Sequence, residues 1–346
     1  MKIPLKNAIK KYSNLKSLIH FLRKHPKEKL ISILGLIEDE IKTIIMQPAY
    51  RNLEKIKKYQ KKNYEIIKSR FIEFYNQLNR FDIHKFTTPV WDEYNSKIEH
   101  CLLPYPKFTF LNEPVIRSTM FIPSYVNWIK DELKFIESKF SKKELQKYLL
   151  EDYIGMPHLN NVRYITSNTS IHHFYSISRF LEKTKCDLNK MNTIIEWGGG
   201  YGNMAKLLLR MINKRITYIL VDTPLFSCVQ WFYLSCIFGS ININLIQNSN
   251  DIIKPQKINI IPVSFIENFK LKGDLFISTW ALSESSRYSQ DFVLNSNWFN
   301  SKHILLAYQE SSERLIDANR IESYFKKYDL KIEPIPFLPG NNYAMK

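Results

Sequence analysis

Apolar positions in the first 80 residues recur at three- and four-residue steps. Leu5, Ile9, Tyr12, Leu15, Leu18, Ile19 and Leu22 form one such stripe, with lysines between them. The spacing predicts an amphipathic helix over 3–22, ended by Pro26. A second helix is expected from about Lys29 to Met46, stopping before Pro48. A third, very basic one from about Arg51 to Arg80 carries Leu53, Ile56, Tyr59, Tyr64, Ile67, Phe71 and Phe74 as its stripe. Residues 82–125 hold Pro89, Pro104, Pro106, Pro114 and Pro123 among many aromatics and read as extended or irregular chain. Helical spacing returns from about Tyr125 to Leu150.

Past residue 190 the period changes. Strands are expected at Thr193–Glu196, Ile216–Val221, Ile258–Val263, Leu275–Ser278 and His303–Tyr308, with helices at Asn203–Ile212, Leu225–Phe238 and Glu313–Tyr328. A last pair of strands is expected at Lys331–Phe337 and Tyr343–Met345. Strands alternating with helices at this spacing predict a doubly wound, mostly parallel α/β sheet of Rossmann-like type, preceded by a mainly helical region. The division expected is 1–150, a basic accessory, cap or oligomerisation region, and 151–346, a ligand-binding domain.

Charge sharpens this division. The chain of 346 residues carries a net charge of +17, and residues 1–70 alone hold 18 Lys/Arg against 6 Asp/Glu. Such a face suits a helical cap or dimerisation arm with solvated lysines, an anionic membrane surface, or a nucleic acid, in that order of weight. Nucleic acid ranks last because the aromatics lie on the apolar stripe and not among the lysines. A chain 45% hydrophobic has enough apolar side chain for a real core. Cys101, Cys186, Cys228 and Cys236 form no CxxC pair and read as reduced thiols of a cytoplasmic protein. The lysine-interrupted start does not read as a secretory signal, and the apolar run Leu30–Ile37 falls well short of the ~20 residues a membrane span needs.

Four of the nine glycines sit within TIIEWGGGYGNM, Thr193 to Met204. Glycine is worth its entropic cost where φ is positive or a ligand approaches the backbone. No Lys-Ser/Thr follows Gly202, which removes the phosphate loop, and Asn203 stands where a dinucleotide GxGxxG needs its last glycine. What remains is acid-x-Gly-x-Gly-x-Gly, from Glu196 through Gly198, Gly200 and Gly202. The next strand, ITYILVD, ends at Asp222. After the strand in DLFISTWALSES comes a small, polar loop with Ser278, Thr279, Ser283, Glu284 and Ser285, at the sheet edge where doubly wound folds bind ligands.

These motifs resemble those of class I S-adenosylmethionine-dependent methyltransferases. GGGYGNMAKLL, YILVDTPLF and STWALSES together look like the sugar O-methyltransferases of bacterial surface-polysaccharide clusters, over about residues 150–310. The resemblance implies S-adenosylmethionine as cofactor, with S-adenosylhomocysteine as product. It implies cofactor contacts at Glu196, Gly198, Gly199, Gly200, Tyr201, Gly202 and Thr279, with Asp222 accepting from the ribose hydroxyls. A sugar or glycan precursor would be the partner, met by Arg163, Tyr175, Trp280 and Arg287. Arg163 and His158 would suit an acidic sugar or phosphate. The missing Asn/Asp-Pro-Pro-aromatic box favours an oxygen acceptor over adenine nitrogen.

A sugar hydroxyl needs a base. His172 and His173, in SIHHFY, and Glu284 are the candidates. The two histidines flank the stripe of Ile171, Phe174, Ser178 and Leu181, so at most one is expected to face a site. No metal is expected, since Asp251, Asp274 and Glu310 are scattered. An RNA methyltransferase and a non-catalytic binding protein with a relic cofactor fold remain the alternatives.

Overall fold

A computed structural model describes residues 54–346 except 162, 316 and 319. The helices expected over 3–22 and 29–46, and the start of the third, lie outside the described residues.

Eight strands form one sheet: β1 Thr193–Trp197, β2 Thr217–Asp222, β3 Ile243–Leu245, β4 Ile258–Pro262, β5 Leu275–Thr279, β6 His303–Gln309, β7 Lys331–Pro334 and β8 Asn341–Met345. Their order is β3-β4-β2-β1-β5-β6-β8-β7. Pairings from β3 to β6 are parallel, and β8 runs antiparallel to both of its neighbours. The chain winds outward from β1 to one edge, then returns to β5 and winds to the other. The crevice at the carboxyl ends of β1 and β5 is therefore the switch point where such folds take their ligands. β1, β2, β4 and β5 are almost wholly buried, because helices cover both faces.

The helices before the sheet are α1 Glu54–Ile67, α2 Arg70–Leu78, α3 Pro89–Leu102, α4 Pro114–Met120, α5 Ile129–Lys139, α6 Lys142–Tyr148 and α7 Asn168–Thr184. Those within it are α8 Asn203–Met211, α9 Pro224–Phe238, the single turn α10 Ala281–Glu284, and α11 Arg287–Asn295. α9 is apolar nearly all round because α1 and α2 lie over its outer side. Tyr64 and Phe74 set their rings edge-on to Phe232 and Trp231, at 5.7 and 4.6 Å. One apolar core thus runs from Tyr64 on α1 to Met345 on β8. Among the described residues no helix is long and apolar enough to cross a membrane.

Several elements differ from expectation. The helix expected over Arg51–Arg80 is two, broken around Lys68 and Ser69. The stretch 82–125 holds α3 and α4, and both open on a proline: at the first helical turn a missing N–H costs nothing, so Pro89 and Pro114 start helices. The stretch 125–150 divides at Ser141, whose hydroxyl and Glu144 form a capping box. In place of a helix over 313–328 there is 3₁₀ turn over Arg320–Tyr328. The edge strand β3, three residues long, gave too short a pattern to be read.

Candidate functional site

A cavity of about 500 Å³ opens at the switch point. Its floor is the carboxyl edge of β1, β2 and β5. Its roof is residues 119–128 between α4 and α5, with Phe86, Thr87 and Trp91 at one side.

The glycine turn forms one end. Gly198 has φ +74°, and a Cβ there would stand 2.0 Å from the Cβ of Ala281, so only glycine lets α10 close against the turn. Gly200 has φ +56° and nothing within 4 Å of its Cβ position: the space beside it opens to the cavity. Gly199 and Tyr201 also line the cavity, whereas Gly202 caps α8 below it. The Tyr201 ring is stacked on Phe121 of the roof at 5.4 Å, which holds roof and turn together.

Asp222 closes β2 beside the turn. Its Oδ2 accepts from the Gly200 N–H at 3.2 Å and from Gln230 Nε2 at 2.7 Å, and its Oδ1 from the Thr223 N–H at 2.8 Å. Burial nonetheless pushes this carboxyl up to about 7, against the pull of those donors. Glu196, at the tip of β1, accepts from the Tyr218 hydroxyl at 2.6 Å. Burial raises it to about 8, the Tyr218 bond opposing and the charge of Asp222 adding to the rise. Two desolvated carboxyls facing one cavity favour a cation or a set of hydroxyl donors between them.

α7 and α5 build the other end. His172 is 2% exposed, and its Nδ1 lies 2.7 Å from Oε1 of Glu132 on α5, itself fully buried. Burial raises the Glu132 carboxyl, and the His172 ring draws it back down. His172 Nε2 has no hydrogen-bond partner among the described residues, and His172 lines the cavity. Trp128 and Trp280 stand against its ring at 5.3 and 5.2 Å. His173 accepts from Asn203 Nδ2 at 3.1 Å, and burial lowers it to about 3, with the His172 and Lys206 charges adding. It is a neutral ring near pH 7. Both histidines line the cavity, where the stripe left room for one. The first half of α7 is buried nearly all round, between α5 and α8, so its apolar stripe does not mark the inward side.

Trp280 follows β5 with φ 63° and ψ −39°, a strained pair for a residue with a side chain. Its N–H donates to the Ala307 carbonyl at 2.6 Å and its indole to Asn341 at 2.8 Å, and both hold the strain. Thr279, Trp280 and Glu284 line the cavity. Burial raises the Glu284 carboxyl, while a hydrogen bond with Trp91 lowers it. Of the expected substrate contacts, three lie elsewhere. Arg163 is an exposed side chain paired with Glu137 at 2.8 Å. Tyr175 is buried in the core against Phe135. Arg287 is exposed at the start of α11. Among the described residues no group of three His, Cys, Asp or Glu side chains could hold a metal ion.

Glu132, Tyr218, Gln230 and Trp91 were not anticipated. Glu132 had a signal: it stands three residues after Ile129 and four before Ile136, so a carboxylate sits on the buried stripe of α5. Tyr218 and Gln230 had none, because their partners are on other elements.

No family model and no curated protein matches the chain. Solved structures do match. They include Aeropyrum pernix fibrillarin with natively bound S-adenosyl-L-methionine, at 13% identity over 49% of this chain and 73% of that one, TM-score 0.33. Mitomycin 7-O-methyltransferase matches at 14% identity over 72% and 74%, TM-score 0.36. An O-methyltransferase family protein from Burkholderia thailandensis matches at 11% identity over 73% and 81%, TM-score 0.33.

Proposed function

We propose that the protein is an S-adenosylmethionine-dependent O-methyltransferase. The observation that carries this reading is the pairing, in one cavity, of a glycine turn flanked by two desolvated carboxyls with a buried His172–Glu132 dyad. The chain's own residues fit the cofactor: Gly200 leaves open space at the turn, and Glu196 and Asp222 offer acceptors for an ammonium and a ribose diol. When bound, the cofactor supplies an electrophilic methyl group on a sulfonium.

The residues then have distinct tasks. Asp222, held by Gly200, Thr223 and Gln230, orients the ribose. Glu196, held by Tyr218, faces the positive end. His172 Nε2 takes the proton from the acceptor hydroxyl as its oxygen attacks, and Glu132 accepts from Nδ1–H and stabilises the imidazolium. A base so placed contributes roughly 10²–10⁴-fold, and alignment in a closed cavity the larger share. His173, already committed to Asn203, stays neutral beside it.

For the acceptor we take a sugar hydroxyl of a bacterial surface glycan or its precursor. The motifs GGGYGNMAKLL and STWALSES support it, and so do the indoles of Trp91, Trp128 and Trp280, which give the apolar face of a pyranose ring a surface to stack on. The same reading makes 151–346 the cofactor domain of a cytoplasmic enzyme, with Glu132 and the lining residues between 86 and 128 of the region 1–150 completing its site.

Calorimetric titration with S-adenosylmethionine, S-adenosylhomocysteine and NADH tests the proposal. Micromolar binding of the two sulfur compounds alone, weakened in Asp222→Ala, supports it. Binding of neither overturns it.

A further inference from the structure

We infer that the acceptor end of the cavity takes an uncharged group and turns away anionic ones, so that the reacting unit is a neutral sugar and not a uronic acid or a sugar phosphate. This rests on the methyltransferase reading.

Three observations point the same way. The acidic and histidine side chains lining the cavity are His172, with Glu132 directly behind it, His173, Glu284, Glu196 and Asp222. No lysine or arginine is among the described residues that line the cavity, in a chain of net charge +17. Lys85, next to the lining Phe86, is paired with Glu267 at 2.6 Å, and Lys206, on the same helix as the lining Asn203, with Glu151 at 2.7 Å. The remaining surface is mostly uncharged: indole, phenyl and aliphatic side chains with threonines among them.

An anion entering here sheds its hydration and meets no countercharge. It also meets the Glu284 carboxyl, which either repels it or must first take up a proton. A hydroxyl, by contrast, needs only a proton acceptor, and His172, a lining residue, has a buried Nε2 with no partner among the described residues. The net-positive surface can still draw an anionic carrier toward the mouth; only the reacting unit must be neutral.

The test uses the full-length protein loaded with S-adenosylhomocysteine. Matched fragment pairs, each a neutral aryl alcohol or aryl glycoside and its carboxylate or phosphate counterpart, are screened by ligand-observed NMR. The neutral members should bind and their anionic twins should be weaker by a factor of about 100 or more. Glu284→Gln should narrow that gap by raising the affinity of the carboxylate members. Anionic members binding as well as neutral ones would overturn the inference. So would a complete lack of hits, because the inference requires the part of the cavity left beside the cofactor to accept uncharged groups. Failure of the cofactor to load, read beforehand by calorimetry, would instead count against the methyltransferase reading.

Discussion

Nδ1 of His172 lies 2.7 Å from Oε1 of Glu132, forty residues away on a different helix, and both side chains are sealed from solvent. In the proposed mechanism Glu132 accepts from Nδ1–H and so fixes the tautomer that leaves Nε2 free to accept. His172→Ala should lower kcat by roughly 10²–10⁴-fold and leave cofactor affinity unchanged. Glu132→Gln should lower kcat by less, in the same direction. Single-turnover methyl transfer beside calorimetry separates the two quantities. A wild-type rate in His172→Ala would remove the base from this position.

If Asp222 and Glu196 hold the cofactor as proposed, its binding should depend on pH. Their pKa values rise from 3.8 and 4.5 to about 7 and 8, because burial disfavours the charged form. A bound cation and ribose diol need the ionised forms. Affinity should therefore fall as pH drops from about 8 to below 7, with proton uptake by the protein on release. The binding enthalpy should vary with buffer ionisation enthalpy at pH 7. A buffer-independent enthalpy would contradict the assignment.

The same shifts act on stability with the opposite sign to a salt-bridged acid. Between about 4 and 8 the folded, ligand-free protein holds more protons than the unfolded chain. These two groups thus make the protein less stable as pH rises through that window. Saturating S-adenosylhomocysteine should offset the loss at pH 8 more than at pH 6, as read by thermal melts.

Gly198 and Gly200 should answer alanine differently. Gly198→Ala drives a methyl against Ala281 at 2.0 Å and should destabilise the fold and abolish binding. Gly200→Ala meets no neighbour and should cost only about 1 kcal/mol for its left-handed φ, yet weaken the cofactor by occupying its space. Tm and Kd measured on both variants decide. Unimpaired binding by Gly200→Ala would place the ligand elsewhere.

Lys206 is fully buried on α8, 2.7 Å from Glu151, which also accepts from Ser167 at 2.6 Å. Lys206→Met leaves a buried carboxylate uncompensated and should cost about 3–5 kcal/mol. Pairing it with Glu151→Gln should recover much of that in denaturant melts. An additive double variant would show that the two groups do not interact.

The sequence by itself determined the sheet and one end of the site. Strands β1, β2, β4, β5 and β6 are short apolar runs whose period differs from a helix, and the acid-glycine spacing from Glu196 to Gly202 is local, so both survive in one dimension. The helices before the sheet were read less well, because proline marks a helix start as readily as a break, as Pro89 and Pro114 show. The tertiary structure alone decided which polar side chains line the cavity. Arg163, in a polar loop, and His172, beside an apolar stripe, are both sequence candidates for the site. One ends in solvent against Glu137, and the other is sealed against Glu132. Which occurs depends on where α5 packs across α7, and that is set by apolar burial summed over both helices, not by any residue beside either charge.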